Sequence, residues 1–325
     1  MKALMIGGSG YFGKLLAGRL REEWGEDIDI VDVDISVEND MEEKWLGVKR
    51  VFGDARKKRI EDVFKNEGAI DAVMHLAFGH GENLTTDERM MTNVYGTFHI
   101  LGLARKYGVK QFIFPSSTIV YGARQDNPAV MLESRPLLGN RDIRGIRDYI
   151  EADMICQTHA ESSSSLKVII MRMVPIWRSS GESVLGTYMK RNLVPTLLGF
   201  DPMFQIIYED EMLDAFVRAL RSPDAHGAYN IRGRVHLPLS EVIRSLGKTP
   251  VPLPDFLVHN NGRFLWSDKL KYDFNYIKYP FTVDGSRAFE ELGYDPSGLE
   301  KSRTERKKEK SGGTSNRNSP SVECE

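Results

Sequence analysis

The chain has almost no cysteine: Cys156 and Cys324 are the only two among 325 residues. One falls in a stretch with helical spacing and the other among the last residues. No disulfide framework is expected, and the pattern suits a reducing compartment. The chain also lacks any run of about 18 uninterrupted apolar residues, so no membrane-spanning helix is expected. The first apolar run is too short for a secretory leader, which makes a cytoplasmic protein the expectation. An excess of charge of one sign is missing as well. The formal net charge is −2, and residues 301–325 carry seven Lys or Arg against four Asp or Glu, which leaves residues 1–300 mildly acidic. That is no electrostatic footprint for nucleic acid. Histidine is scarce, with seven residues. His80 and His236 have no neighbours at ligand spacing, so no metal site is expected. The remainder, 41% apolar and 28% charged, is ordinary globular composition with enough length to bury a large core.

The informative stretch is the first thirteen residues. Residues 3–6 are a short apolar run of strand type. Three glycines follow at three-residue spacing, Gly7, Gly10 and Gly13, and apolar residues then recur at helical spacing (Phe12, Leu15, Leu16, Leu20) until Trp24-Gly25. Strand, glycine turn and helix together form a phosphate-binding unit. Gly7 permits the tight turn, Gly10 lets backbone approach a pyrophosphate, and Gly13 lets helix and strand pack closely. The helix N-terminus adds N–H donors and the positive end of a dipole. The next strand, within residues 27–34, carries Asp32 19 residues after Gly13. That is near the spacing of about 20 at which a carboxylate reaches a ribose 2′-hydroxyl. A carboxylate there repels a 2′-phosphate, so NAD is favoured over NADP. Asp34 is the alternative ribose ligand, and a pair of solvated strand-end acids is the plainer reading of both.

Further strands are expected at residues 48–54, 70–77, 111–122 and 166–171. Helices are expected after residue 60, across 90–107 and across 148–160. Residues 70–77 show little alternation, as in a strand covered on both faces. Strands alternating with helices, with no internal repeat, give an α/β fold with a doubly wound parallel sheet. In such sheets ligands bind beyond the carboxyl ends of the strands. Gly7, Asp32, Asp54, Leu76, Ala77, Ser116 and Ser117 all fall there. From Pro175 to about residue 300 the pattern is irregular and rich in proline and aromatics, which suits a smaller domain capping the sheet. The expected organisation is a nucleotide-binding domain over residues 1–172 and a smaller α/β substrate domain over 173–300, partly interleaved with the first. Residues 301–325, polar and with Gly312-Gly313 and Ser319-Pro320, read as a disordered tail.

These motifs resemble the extended short-chain dehydrogenase/reductase family, the NAD-dependent epimerases and dehydratases that act on nucleotide sugars. The match runs from Met1 to about Gly122. The segment from Gly7 through Ser9, Gly10, Tyr11 and Phe12 to Gly13 looks like the family's cofactor loop, and Gly53-Asp54 like its adenine-contacting pair. His75-Leu76-Ala77 is similar to its fourth-strand motif. Asn93, with Gly96-Thr97, resembles the helix whose asparagine helps order the active site. Ser116-Ser117, with Val120-Tyr121-Gly122, resembles the strand that presents the catalytic hydroxyl, by register Ser117. A fainter match continues through Asp210 and Tyr229-Asn230-Ile231. The resemblance implies a Rossmann-type domain holding NAD, a hydroxyl-bearing small-molecule substrate such as a sugar nucleotide, and often a homodimer.

One departure stands out. The family pairs its catalytic tyrosine with a lysine four residues on, and none of the twelve tyrosines here has one. The tyrosine at the matching place is Tyr149, 32 residues after Ser117, and its partner is Asp153. Bringing a tyrosine from its reference pKa of about 10 to near neutrality takes about 4 kcal/mol. A cation about 6 Å away at an effective dielectric of about 20 supplies roughly 2.8 kcal/mol of that. An anion in its place opposes ionisation unless it is neutralised or turned away. Arg144, Arg147 and Lys14 are the candidates to supply a cation from elsewhere, and an ordinary helix tyrosine is the alternative reading of Tyr149. The substrate side departs too. Pro175 stands where many sugar-nucleotide enzymes have asparagine, and Phe204 where an arginine gripping a diphosphate is common, which removes a bidentate anion contact.

Other features have plainer readings. His75 at a strand end suits packing better than a base, and Arg141, Arg144 and Arg147 at intervals of three suit a solvated face. Trp266, Tyr272, Phe274, Tyr276, Tyr279 and Phe281 suit the core of the smaller domain, with a hydrophobic groove as the alternative. The expected function is an NAD-dependent epimerase/dehydratase-like oxidoreductase transferring hydride at a hydroxyl-bearing carbon. Ser117 would polarise the carbonyl oxygen and Tyr149, or a substitute, would move the proton. The rival expectation is an NAD-binding scaffold or redox sensor without the proton-transfer pair.

Overall fold

The first strand, β1 (Lys2–Ile6), is buried at four of its five positions, as a central strand covered on both faces must be. Its residues alternate between two cores. Ala3 and Met5 join one apolar cluster, and Leu4 and Ile6 join the other. The computed structural model describes residues 1–35, 47–78, 85–162, 165–177, 184–260 and 274–297. Residues Met1–Tyr294 form one compact unit, and of the second, Asp295–Glu325, only residues 295–297 are described. The expected tail and the aromatics Trp266 and Tyr272 lie outside the described residues, as does His80.

The chain runs from β1 through α1 (Tyr11–Trp24), β2 (Asp29–Asp34), β3 (Lys49–Phe52) and α2 (Glu61–Glu67) to β4 (Ala72–His75). Then come α3 (Thr86–Met90), α4 (Gly96–Lys106), β5 (Gln111–Ser117), α5 (Arg144–Ser162) and β6 (Lys167–Met173). A seventh strand of the main sheet, β10 (Gly227–Ile231), comes from the C-terminal half, preceded by α7 (Glu209–Arg221). The order is β10-β6-β5-β4-β1-β2-β3, with every neighbouring pair parallel. The chain winds outward from β1 in one direction and returns to wind outward in the other. The reversal between β1 and β4 opens the crevice in which doubly wound sheets bind ligands. On one face Leu16 and Leu20 of α1 pack with Phe216 and Leu220 of α7. On the other face Phe64 of α2, Ile100 and Leu101 of α4 and Cys156 of α5 pack together.

The smaller part is built from short strands. These are β7 (Ile176–Trp177), β8 (Leu193–Leu197), β9 (Met203–Tyr208), β11 (Val235–Pro238) and β12 (Thr249–Leu253), with α6 (Val184–Tyr188), α8 (Leu239–Ser245), α9 (Asp255–Asn260) and α10 (Ser286–Leu292). They form a three-stranded sheet, β11-β9-β7, and a two-stranded one, β12-β8. Tyr276 and Phe281 are buried, and Phe274 and Tyr279 pack against the same core.

Three element boundaries differ from the sequence expectation for physical reasons. The fifth strand ends at Ser117 rather than running to residue 122, because residues 118–121 coil into a tight turn closed by Gly122 at φ 77°. The helix expected over 90–107 is interrupted by one wide turn at residues 91–95, at which Thr97 Oγ1 donates to the Asn93 carbonyl at 2.5 Å. The sixth strand runs on through Arg172 to Met173, because the buried arginine finds a partner. Among the described residues no helix is long and apolar enough to cross a membrane.

His75, at the end of β4, is fully buried, with Nε2 3.1 Å from Thr97 Oγ1 and Nδ1 without a hydrogen-bond partner among the described residues. Burial pushes its pKa down from 6.5 to about 4, so it is a packed neutral imidazole. The unfolded chain takes up this proton near pH 6.5 and the folded chain only near 4. Stability from this group is therefore complete above 6.5 and lost as pH falls towards 4, by about 3 kcal/mol. Urea unfolding of His75→Leu should show a shallower loss of stability over that window than the wild type; an unchanged slope would contradict this.

Candidate functional site

The turn between β1 and α1 is built from close backbone approaches. Gly7 has φ 87°, and a Cβ on it would lie 2.6 Å from the Ala77 backbone beyond β4. A Cβ on Gly13 would lie 2.2 Å from the Gly8 carbonyl oxygen, whereas one on Gly10 would meet nothing within 4 Å. Gly7 and Gly13 are therefore required by packing, and Gly10 faces open space. Gly10 is also the N-cap of α1 and makes no side-chain cap hydrogen bond. Tyr11 is exposed, while Phe12 packs its ring 5.2 Å from that of Phe216. The part of Phe12 that faces the turn is thus backbone. On the opposite wall, Leu76 N donates to the Ile6 carbonyl at 2.8 Å, which extends the β1–β4 ladder and fixes Leu76-Ala77 beside the glycines.

Asp32 is buried at the end of β2 and holds this turn. Its carboxylate accepts from Gly8 N at 2.8 Å and from Ser9 Oγ at 2.9 Å, with Arg50 Nε 3.7 Å away. Burial, the largest influence, raises its pKa, and the bonds from Ser9 and Gly8 partly offset this. The rival acid, Asp34, accepts from Ser9 N at 3.2 Å. Both acids therefore border the turn, and Asp32 is the one that shapes it. Asp54 lies at the end of β3 and is gripped by Arg56 through Nε at 2.9 Å and Nη2 at 2.8 Å. Burial alone would raise the Asp54 carboxyl, but the hydrogen bonds and charge of Arg56 outweigh it and hold it below its usual value.

Ser117 ends β5, half-buried; among the described residues its hydroxyl donates to the Met173 carbonyl and accepts from Ile119 N, both at a long 3.4 Å. Tyr149 lies in the second turn of α5, and its ring stacks on Phe78 with centroids 4.2 Å apart and planes at 22°. Phe78 directly follows Ala77, so one stack joins the cofactor wall to the candidate tyrosine. Asn93 is buried and donates to Asp148, the neighbour of Tyr149, at 3.2 Å. Asp148 also pairs with Arg89 Nε at 3.1 Å and lies 3.8 Å from Arg147. Of the three cations considered for Tyr149, Arg147 is thus beside an acid.

Asp153, standing in the lysine's place, points into the interior. It is fully buried and meets the equally buried Arg172 in a two-pronged pair, with Nε to Oδ2 at 3.0 Å and Nη2 to Oδ1 at 2.8 Å. Ser116 Oγ donates to the same carboxylate at 2.6 Å and Gln157 Nε2 at 2.7 Å. Arg172 Nη1 donates to Tyr121 Oη at 2.8 Å and to the Glu133 carbonyl at 2.9 Å. Tyr121 Oη in turn donates to Asn230 Oδ1 at 2.7 Å. Burial works against the Arg172 charge, but Asp153 more than offsets it and its pKa rises. Burial pushes Tyr121 up to about 12, against the pull of Arg172. The carboxylate at the lysine position is therefore neutralised.

On the substrate side, Phe204 is buried, edge-on to Phe281 at 5.7 Å, and Phe281 lies edge-on to Tyr276 at 4.9 Å. Tyr276 Oη donates to the Ile119 carbonyl at 2.7 Å, in the turn just after Ser117. Gln205 Nε2 donates to the Val283 carbonyl at 3.1 Å and its Oε1 accepts from Val283 N at 2.9 Å. An aromatic wall tied to the end of β5 thus occupies the place considered for a diphosphate grip.

Sequence reasoning named the glycines, Asp32, Ser117, Tyr149, Asp153 and Asn93. It missed Phe78, Gln157 and Arg172, and it named Ser116 and Tyr121 only as parts of the fifth-strand motif, without their hydrogen bonds to Asp153 and Arg172. A signal for Arg172 was present: one arginine in a strand of apolar residues buried on both faces requires a buried acid, and Asp153 on the neighbouring helix is one.

A parallel sheet with a glycine turn at its switch point and a β2 acid that accepts from that turn define a dinucleotide-binding α/β fold. The model of the NAD dependent epimerase/dehydratase family matches residues 3–231, and the chain belongs to that family; its cofactor is NAD. An uncharacterized protein of Mycobacterium tuberculosis is 26% identical over 306 residues, covering 90% of this chain and 79% of its own. A UDP-glucose 4-epimerase of Erwinia amylovora is 32% identical over 184 residues, 53% of this chain and 52% of its own. Among solved structures, the UDP-glucose 4-epimerase of Thermotoga maritima with UDP-glucose superposes with a TM-score of 0.69 at 17% identity, covering 91% of this chain and 94% of that one. The dTDP-glucose 4,6-dehydratase of Bacillus anthracis with NAD gives 0.68 at 17% identity, with 91% of each chain covered. These two share the fold.

The residues present fit NAD: Gly10 leaves room at an uncapped helix start, and Asp32 and Asp34 line the end of β2. Gly10→Ala should leave the thermal midpoint within about 1 °C, because its Cβ meets nothing, yet weaken NADH binding at least tenfold. Gly13→Ala should lower the midpoint by several degrees and abolish binding. Melting curves and NADH fluorescence titration check both. Equal effects of the two variants would contradict the assigned roles.

Proposed function

We propose that this protein catalyses NAD-dependent hydride transfer at a hydroxyl-bearing carbon of a nucleotide sugar, as an epimerase, dehydratase or related oxidoreductase. The reading is supported by the Phe78 ring, which directly follows Ala77 beside the glycine turn and stacks on Tyr149, together with Ser117 at the carboxyl end of β5. The N–H groups at the start of α1 bind the pyrophosphate, and Asp32 with Asp34 faces the ribose. When bound, NAD supplies the acceptor and donor of the hydride. Ser117 Oγ, only weakly held by the protein, donates to the substrate oxygen, and Tyr149 Oη exchanges a proton with that oxygen. Residues 173–300 form the substrate side, with the aromatic wall of Phe204, Phe281 and Tyr276 beside Ser117.

The neutral Asp153–Arg172 pair, where the family keeps a cation, favours a second reading: a scaffold that holds NAD and senses its redox state without turning over substrate.

We also assign a homodimer. Met91, Tyr95, Phe98 and Met154 are exposed on α4, the wide turn before it and the neighbouring α5, and a second copy would cover them. The buried free thiol of Cys156 fits work in a reducing cytoplasm.

Ser117→Ala should lower turnover of UDP-glucose or a related nucleotide sugar at least a hundredfold while NAD affinity stays within twofold. Unchanged turnover would rule out the role of Ser117. Phe98→Glu should convert the protein to monomer in sedimentation velocity; a wild type that already sediments as a monomer would refute the dimer.

A further inference from the structure

Arg172 is the centre of a buried polar chain that no step of the proposed reaction uses. Its three nitrogens are all engaged: two on Asp153, the third on Tyr121 Oη and the Glu133 carbonyl. Asp153 is equally saturated, each oxygen accepting two hydrogen bonds, from Arg172 and Ser116 on one and from Arg172 and Gln157 on the other. The partners lie in telling places. Asp153 is one helical turn after Tyr149, on the same face of α5. Ser116 precedes Ser117, and in the β5–β6 ladder Ser116 stands opposite Arg172 as Ser117 stands opposite Met173. One carboxylate thus ties the helix that bears the tyrosine to the strand that bears the serine, and Arg172 ties both to β6.

Building this from a charge pair has a consequence. A lone acid one turn from Tyr149 would oppose its ionisation, and a lone cation would promote it. A two-pronged pair does much less of either, because its opposite charges meet at 2.8–3.0 Å and largely offset one another. The planar fork also fixes orientation as well as distance, which a lysine point charge would not.

We propose that Asp153 and Arg172 are positioning residues, a charge-neutral clamp that sets the placement of Ser117 relative to Tyr149 from the position where the family keeps a lysine. The assignment of Ser117 and Tyr149 as the groups being positioned rests on the reading given under Proposed function. The clamp replaces the electrostatic role of the lysine with a geometric one.

The test is a charge cycle read at Tyr149. Tyrosinate absorbance is followed against pH in the wild type, Asp153→Asn, Arg172→Met and the double variant, each minus its Tyr149→Phe counterpart. Asp148, Arg147 and Arg89, which lie near Tyr149, are common to all and cancel. Arg172→Met should move the Tyr149 midpoint up by about one pH unit and Asp153→Asn should move it down by about one. The double variant, neutral for neutral, should return to within about 0.3 pH of the wild type. If the single variants fail to fold because they leave a buried charge unpaired, the double variant decides alone. A midpoint displaced there by about one pH unit, or midpoints left unmoved in single variants that do fold, overturns the clamp. The double variant lacks the fork, so its kcat on UDP-glucose should also fall at least tenfold with NAD affinity within twofold; an unchanged kcat overturns the positioning role. A wild type that turns over no nucleotide sugar overturns the reaction reading, and the titration still decides the clamp.

Discussion

Between β1 and α1 the backbone must pass against backbone at two points, Gly7 against Ala77 and Gly13 against Gly8, and much else follows from that constraint. Only glycine fits at either point, so the helix starts close over the strand. Gly10 lies between them with open space in front. Asp32 then closes the turn from the neighbouring strand by accepting from Gly8 N and Ser9 Oγ. Its burial costs solvation, offset by those bonds and by Arg50. The parallel sheet supplies the rest, because β1, β2 and β4 must be in register for Asp32, Gly7 and Ala77 to meet. Fold and cofactor site are in this sense one structure.

The catalytic side is organised by charge. Two fully buried ions are costly to desolvate, and a pair of this kind persists only with good geometry and every remaining hydrogen bond satisfied. Asp153 and Arg172 meet both conditions, and removal of either partner would leave an uncompensated charge at a cost of about 3–5 kcal/mol. The acid at the position where the family keeps a lysine is therefore paired with Arg172 in the interior. The Phe78 stack and the Asn93–Asp148–Arg89 chain hold the same helix from the other side.

Much of this was legible in the sequence where one local rule decided the outcome. The strands β1 and β4 and the start of β5 read correctly because strands covered on both faces are nearly continuous apolar runs, and the place of Asp32 on the second strand was legible because the strand–turn–helix unit has nearly fixed length. The wide turn at residues 91–95 was not legible, since the helical spacing of the apolar residues runs straight through it. The strands β7, β8, β9, β11 and β12 are short, interrupted by proline and paired across large sequence separations, so local periodicity carries little of their identity. The sixth strand was cut short before Arg172 because a charge ends an apolar run on paper. In the fold the run continues, since the acid that pairs with the arginine comes from the preceding helix. Tyr11 and Phe12 read alike in the sequence, yet the Tyr11 side chain is exposed and the half-buried Phe12 ring packs on Phe216, far along the chain.

A single dinucleotide site, bordered by the acids at the end of β2, is the claim on which the rest stands most directly. Isothermal titration of the protein with NAD and with NADP would test it. The expected result is saturable binding of one NAD per chain, with NADP at least tenfold weaker because Asp32 and Asp34 repel a 2′-phosphate. Equal affinities for the two, or no saturable binding of NAD, would contradict it.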